Sequence, residues 1–345
     1  PSYILLAPIL GDLSDKIGRK KVFLLCSIFL IIAYTVSIVA YQSENLAIML
    51  SAHLIFGAGM CFWSIAYATL FDVSRGKKRI RYVVYMGTIM NVFFFSGVII
   101  NHNFGIFHDG SPTTLYAALI IQIICSLIIL FLFKQPAPAH PKRDMSESYM
   151  LFSQRVTRLF VSSKTRKAFL VIFLNFLGWS LYTESFHQTV HHPVYGVSSN
   201  YNYFMVYDYF IAALATLMIL FLHKYFLDIK TIVMYGALFV IVGLLGSTLF
   251  PGQYIQCFWA TVTCIGFGFL TITIYYVSNA RGPRFYGLIM GLFTATLALV
   301  TVLSNIIISA LDIIFVPSQT LYIIMGLIFL IMGFLWFFTM MYIKE

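Results

Sequence analysis

The chain has 345 residues, of which 60% are hydrophobic and only 10% are charged, and its formal net charge is +10. Soluble domains carry about 25% charged residues, so this composition excludes a soluble enzyme with a large core. A basic chain can bind nucleic acid, but here the basic residues follow the pattern of a membrane topology, so we expect no nucleic-acid partner.

Ten apolar runs are long enough to cross a bilayer as helices, since about 20 residues suffice. In chain order they are residues 22–41, 46–71, 82–100, 113–133, 168–190, 201–222, 232–250, 255–277, 285–311 and 320–342, and a partial run, 1–10, precedes them. Helices satisfy all their backbone hydrogen bonds internally, which lipid requires. The sequence therefore predicts an all-α, multi-pass membrane protein.

Lysine and arginine occur only in alternate loops of this arrangement. They fall in segments 11–21, 75–81, 134–167, 223–230 and 281–284 and at Lys344. The positive-inside rule makes this side cytoplasmic, including the C-terminus. We expect the protein in a bacterial inner membrane, with the lipid bilayer as its surroundings and no obligatory protein partner.

The longest basic loop divides the chain. It opens with the proline-rich KQPAPAHPKRD, which ends the preceding helix. Tyr149, Phe152, Val156 and Leu159 then recur at helical spacing with arginines between them, which predicts a short amphipathic helix on the membrane surface. We predict an N-terminal bundle at 1–134, a cytoplasmic linker at 135–167 and a C-terminal bundle at 168–345.

Two stretches on the basic side resemble each other. SRGKKRIRYVVYMG and NARGPRFYGLIMG share Arg-Gly followed by Tyr-x-x-x-Met-Gly, which ends at Gly87 in the first and Gly291 in the second. Both open a span that runs outward, as a parallel repeat predicts. A plan of six plus six helices, with the first missing and the second truncated, accounts for the number of spans.

The stretch GDLSDKIGRKK, residues 11–21, is the strongest motif. It resembles the signature loop of the major facilitator superfamily, which implies a two-bundle transporter fold. In that family an acid where this chain has Asp72 joins the signature arginine, here Arg19. We therefore expect a partly buried network that latches the cytoplasmic side shut. Its expected members are Gly11, Asp15, Lys16, Gly18, Arg19, Lys20 and Asp72.

Two other signatures of the family's drug/proton antiporters are absent. Those proteins typically carry an arginine where this chain has His53. Their fifth helix usually contains a Gly-Pro pair, whereas GTIMNVFFFSGVIINHNFG has no proline. The direction of transport therefore stays open.

Ionisable residues inside apolar spans are costly, by at least ~2.5 kcal/mol when charged at the centre, and indicate function. His53 is one, followed by Gly57, Met60, Ser64 and Tyr67 on one helical face; the alternative for His53 is a hydrogen-bonded structural role. Glu184 and Asp208 lie towards the outer ends of consecutive spans. Two carboxylates sharing a site raise one pKa, which suits proton binding, although both could be solvated at an outer mouth.

Other residues could contact a substrate. Trp179 and Tyr182 form an aromatic stripe that could hold an amphipathic solute or simply pack between helices. Thr294, Thr301, Ser304 and Asn305 form a polar stripe that lines a cavity or makes interhelical hydrogen bonds. The spacing of Glu184, His187 and His191 permits a metal site, but we predict none, because histidines near an outer loop are common by chance.

These features favour a secondary active transporter that moves a small organic solute by alternating access, coupled to protons. Alternatives are a metabolite import symporter and a non-transporting receptor or remnant of the same fold. The sequence has no Ser/His/Asp set, no HExxH and no nucleotide-binding loop, so we predict neither an enzyme nor a cofactor.

Overall fold

A computed structural model of the chain describes residues 2–74, 77–104, 113–135, 152–191, 201–225, 228–250, 253–274, 286–314, 324, 326–328 and 330–335. Within these residues every regular element is helical. The predicted all-α fold is therefore confirmed.

Twelve helices are numbered here in chain order. They are α1 (Ser2–Ile17), α2 (Arg19–Ser43), α3 (Leu46–Gly59), α4 (Phe62–Val73), α5 (Lys77–Phe104), α6 (Thr113–Phe131), α7 (Phe152–Phe160), α8 (Ser163–His191), α9 (Tyr201–Tyr225), α10 (Ile229–Leu249), α11 (Gln253–Leu270) and α12 (Tyr286–Ile314).

Several helices are long and apolar enough to cross a bilayer. Among the described residues, five stretches meet this test by length and composition: Arg19–Ser43, Leu46–Val73, Thr113–Phe131, Ile229–Ser247 and Tyr286–Ala310. Helices α5, α8, α9 and α11 coincide with four further predicted spans. The last predicted span, 320–342, lies largely outside the described residues. The protein is a multi-pass membrane protein.

The chain divides into two compact units. Unit 1 comprises Pro1–Arg75, Phe104–Ser162 and Ser278–Ala298, and thus holds α1 to α4, α6, α7 and the first part of α12. Apolar side chains of α1, α2, α4, the turn before α4 and the first part of α12 form a core cluster, and small residues among them let the helices approach closely in lipid. The buried members are Ala7, Leu10, Val22, Phe23, Cys26, Cys61, Ile65 and Ala295.

Unit 2 comprises Gly76–Asn103, Ser163–Val277 and Leu299–Glu345, and thus holds α5, α8 to α11 and the rest of α12. One core cluster of its described residues consists of Ile80, Val84, Val171, Ala215, Ile219, Ile232, Val233, Phe269 and Ile272. The units follow spatial contacts rather than chain order, since α5 belongs to unit 2 and the start of α12 to unit 1. The predicted bundle boundaries and the six-plus-six plan stay predictions.

The predicted span 46–71 differs from a single straight helix. Helix α3 ends at Gly59 and α4 begins at Phe62. Between them the hydrogen-bond ladder tightens, as Cys61 N donates to Ala58 O and Ser64 N donates to Cys61 O. A 3₁₀ stretch inside a longer helical segment often marks a hinge or local strain. Gly59 lies at this point and packs so closely on Leu30 that a Cβ there would lie 2.5 Å from the leucine Cγ.

Candidate functional site

The turn between α1 and α2 is a single residue, Gly18. Its φ is +99°, a conformation that residues with a side chain rarely adopt. Because the turn is so short, the end of α1 and the start of α2 lie side by side. The turn thereby brings Asp15, Lys16 and Arg19 to one place.

Arg19 lies between two carboxylates. Its Nη2 is 2.7 Å from Asp15 Oδ1, and its Nε donates to Asp72 Oδ2 at 2.7 Å. Nη1 also donates to Ser14 Oγ, and Ser14 Oγ donates in turn to Gly11 O at 2.7 Å. The Arg19 side chain is only 7% exposed, so this is a buried, charge-assisted network. The pairings expected among Asp15, Arg19 and Asp72 are all present.

Asp15 also holds the beginning of α12. Gly287 N donates to its Oδ1 and Leu288 N donates to its Oδ2, each at 3.0 Å. The first amides of a helix have no partner within the helix and carry the positive end of its dipole. One carboxylate thus satisfies two amides 272 residues further along the chain.

Helices α1 and α12 cross in close contact at this point. A Cβ on Gly11 would collide with the Gly287 carbonyl, and one on Gly291 would lie 2.7 Å from the Cα of Pro8. Only glycine permits backbones to approach this closely. The crossing explains why Gly11 belongs to the motif, and why the glycine of the second repeat stands at 291.

A second ion-pair cluster adjoins the first, and its centre is Asp12, which was not among the residues predicted from the sequence. Asp12 Oδ1 accepts from Arg155 Nη1 at 2.7 Å, and its Oδ2 lies 3.0 Å from Lys16 Nζ. The i,i+4 spacing of Asp12 and Lys16 could have revealed this residue. Its partner in α7 could not be found from the sequence. Among the described ion pairs none involves Lys20.

The proposed transport residues are not gathered in one described site. His53 is exposed on α3, and its Nδ1 donates to Met49 O one turn earlier at 2.9 Å. Ser64 and Tyr67, expected on the same face, are buried.

In unit 2, Trp179 of α8 packs on Phe267 of α11, with ring centroids 3.7 Å apart. Ser304 Oγ lies 2.6 Å from Ser180 Oγ in a buried interhelical hydrogen bond, whereas Asn305 is exposed. These contacts support the packing alternatives for Trp179 and Ser304. The side chains of Tyr182, Glu184 and Asp208 lie outside the described residues.

No metal centre emerges from the described part of the chain, where no three histidine, cysteine or acidic side chains form a group. The side chains of Glu184, His187 and His191, whose spacing permits a metal site, are not among those described. The site with defined geometry is therefore the charge network of unit 1.

Comparison with known proteins agrees with this geometry. The sequence matches the family model of the Major Facilitator Superfamily over residues 2–305. The fold is similar to the crystal structure of the human organic anion transporter MFSD10 (TETRAN), with a TM-score of 0.80, 16% identity, and coverage of 97% of this chain and 81% of that one. It is also similar to the Escherichia coli fucose:proton symporter FucP, with a TM-score of 0.74, 15% identity, and coverage of 98% and 88%.

A sequence relative is the tetracycline resistance protein, class B, of Escherichia coli, which is 23% identical over 191 residues. That match covers 53% of this chain and 46% of the relative, so the chain spans about half the length of that protein. The family match, in contrast, extends over most of the chain and includes the signature loop. The chain belongs to the Major Facilitator Superfamily, a family of membrane transporters rather than enzymes.

Proposed function

We propose that the protein is a secondary active transporter that moves a small organic solute across the membrane by alternating access, driven by protons. The observation that carries this proposal is the shared position of Arg19 between Asp15 and Asp72, with Asp15 also bound to the start of α12. Alternating access requires helices that are held together in one state and separate in another.

A buried ion pair suits such a contact better than an apolar one. Removing two charges from water costs about as much as their attraction returns, so an intact pair adds little net stability. When the helices separate into a wet opening, the charges recover their hydration. Losing only one partner is costly, because it leaves a buried charge unpaired. Together these properties make a switchable latch out of Asp15, Arg19 and Asp72.

The substrate class and the coupling ion are inferred from the relatives and from the ionisable residues of this chain. The relatives are named for tetracycline resistance, organic anion transport and fucose:proton symport. All three names refer to small organic solutes, and one refers to protons. Within this chain we assign proton binding to at least one of Glu184 and Asp208, because an unpaired carboxylate in hydrocarbon takes up a proton. His53 is a candidate proton relay, because one imidazole nitrogen can accept a proton while the other donates one.

Reconstituted protein in liposomes tests the proposal. We expect uptake of tetracycline, fucose or a small aromatic carboxylate to depend on the sign of an imposed pH gradient. Glu184→Gln or Asp208→Asn should remove accumulation, and one of them should retain passive exchange. Accumulation with an unchanged pH profile in both variants would place the proton site elsewhere.

The same assay distinguishes antiport from the second candidate function, import by symport. The presence of His53 where antiporters carry an arginine favours symport. Symport predicts that solute and protons move in the same direction, and antiport predicts opposite directions. If the protein moves neither protons nor any tested solute, the alternative that remains is a non-transporting receptor or remnant of the fold.

The orientation is also part of the proposal. We propose that the linker, Lys344 and the ion-pair network lie on the cytoplasmic side of a bacterial inner membrane. The loop 191–200 then lies on the outer side. Single cysteines introduced into these segments can be labelled from outside intact cells. Labelling of the linker would reverse the orientation.

A further inference from the structure

The linker between the two predicted bundles contacts the signature loop at both of its described ends. Gln135, at the start of the linker, lies directly against Gly18. Further along the linker, Arg155 of α7 reaches Asp12 of α1. Both contacts lie within unit 1. The linker is thus attached at two points to the short junction between α1 and α2.

Helix α7 is docked by a charge. The two buried residues of α7 are Arg155 and Leu159, one helical turn apart, which are 3% and 1% exposed. The expected amphipathic helix is present, but Arg155 shares its buried face instead of its polar one. The burial of the Arg155 charge is compensated by Asp12, which is itself 3% exposed. Arg155 Nη1 donates to Asp12 Oδ1 at 2.7 Å.

The two ion-pair clusters of α1 complement each other. In one, Arg19 lies between Asp15 and Asp72, which gives a net charge of one negative unit. In the other, Asp12 lies between Arg155 and Lys16, which gives one positive unit. Asp12 and Asp15 are three residues apart on one helix, so the six charges cancel only when Arg155 is docked.

From this arrangement we propose that Arg155 is a positioning residue that docks α7 on the latch, so that the linker is held while the latch is closed and released when it opens. The proposal rests on the proposed function, because it assumes that the network of Arg19 opens during transport. Asp12 occupies a variable position of the signature loop, so this contact is a feature of this chain's own sequence.

A buried charge pair serves this purpose because it is specific and reversible. Leu159 alone would dock α7 against many apolar surfaces, whereas Arg155 needs a carboxylate at one position. Undocking returns Arg155 and Asp12 to water together, which offsets most of their lost attraction. By contrast, a change that removes one partner leaves the other buried and unpaired.

Trypsin cleavage after Arg158, an exposed residue of α7, measures docking in purified protein. Cleavage of a helix requires local opening, so its rate follows the population of the undocked form. We expect Arg155→Gln and Asp12→Asn each to accelerate this cleavage about tenfold, which corresponds to about 1.4 kcal/mol. Arg166→Gln, the same change at an exposed arginine of α8, is the matched control and should cleave at the wild-type rate.

Charge reversal distinguishes the ion pair from a general loss of packing. The double variant Asp12→Arg with Arg155→Asp keeps the net charge and leaves Lys16 a carboxylate to pair with. We expect it to restore cleavage to within about threefold of wild type. Wild-type cleavage in both single variants, or no restoration in the double variant, would overturn the proposal.

Coupling to the latch is tested by Asp72→Asn, which weakens the Arg19 cluster without touching α7. Coupling between two sites is reciprocal, so opening the latch must also undock α7 and accelerate cleavage after Arg158. An unchanged rate in this variant shows that α7 is anchored independently, and it contradicts the proposal. Neither arm needs a transported solute, so a failure of the transport assay is separate from a failure here.

Discussion

The two copies of the Tyr-x-x-x-Met-Gly repeat lie in different units and have different surroundings. Tyr286 lies in the first part of α12, which belongs to unit 1. It is 3% exposed and packs on Phe71 with ring centroids 5.6 Å apart. In α5 of unit 2, Tyr82 is 42% exposed. The same sequence pattern therefore occurs in two helices without fixing how deeply each is buried.

The glycines that end the two copies differ in what surrounds them. A Cβ on Gly87 would meet the methyl carbons of Thr271 and Thr216, at 2.6 and 3.3 Å. A Cβ on Gly291 would meet the backbone of Ala7 and Pro8. A side-chain methyl can turn aside, whereas a helix backbone cannot. Both positions therefore require a small residue. The requirement is stricter at Gly291, which faces a helix backbone, than at Gly87, which faces threonine methyls.

The substitution expected to disrupt the contacts of the α12 copy most is Arg19→Ala. Arg19 pairs with the Asp15 carboxylate, which accepts from the amides of Gly287 and Leu288. The change leaves Asp15 and Asp72 buried without their cation, and we expect it to cost about 3–5 kcal/mol of unfolding free energy and to abolish transport. Lys21→Ala, an exposed neighbour, is the control. Thermal unfolding in detergent and liposome flux measure the two effects, and wild-type flux in Arg19→Ala would rule the latch out.

The glycines themselves give the next largest contrast. Gly291→Ala forces α1 and α12 apart, and we expect it to destabilise the protein by about 1–3 kcal/mol. Gly87→Ala gains helix propensity and displaces only threonine methyls, so its net effect should be below about 1 kcal/mol. Equal unfolding midpoints for the two variants would contradict the difference in partners described above.

The tyrosines sharpen the comparison further. Tyr286→Leu removes an aromatic pair with Phe71, and such pairs contribute about 0.5–1.5 kcal/mol beyond the area they bury. Tyr82→Leu changes an exposed position, where substitutions usually stay within about 0.5 kcal/mol. We expect a measurable fall in the unfolding midpoint for the first variant only. A larger fall for Tyr82→Leu would show that exposure does not distinguish the copies.

The smallest effect compares one helix cap in each unit. Asn45 Oδ1 accepts from Ala47 N at 2.9 Å at the start of α3, and Asp228 Oδ1 accepts from Thr231 N at 3.0 Å at the start of α10. Replacing either by alanine should cost about 1 kcal/mol. Only the Asp228 cap should depend on pH, because asparagine does not titrate.

The sign of that dependence follows from the Asp228 contacts. The side-chain hydrogen bond from Thr231, and then its backbone amide, lower the pKa of Asp228 in the folded protein. A lowered folded-state pKa adds stability above the unfolded value, near 4, and that stability is lost as the pH falls through the folded value. The unfolding free energy of Asp228→Asn should therefore fall less than that of wild type as the pH is lowered from 5 to 3. The difference should correspond to the lowering of the Asp228 pKa on folding. An identical pH profile in the two proteins would contradict this assignment.

Much of the fold could be predicted from the sequence, because membrane helices are encoded locally. The length of each apolar run and the alternation of basic loops indicated the helices, and the signature loop indicated the family. The pairing of Arg19 with Asp72 was expected only through the family resemblance. Asp12 was missed because it stands at a variable position of the loop. The burial of Arg155 was missed because helical spacing alone placed it on the polar face.

By itself, the sequence determined the features that arise within about 20 residues. These are the apolar helices, the glycine turn at Gly18 and the i,i+4 spacing of Asp15 and Arg19. The tertiary structure alone decided which distant groups meet: Arg19 with Asp72 over 53 residues, Arg155 with Asp12 over 143, and Asp15 with the amide of Gly287 over 272. Helical periodicity is a property of neighbouring residues, whereas the partner of a buried charge is set by how whole helices cross.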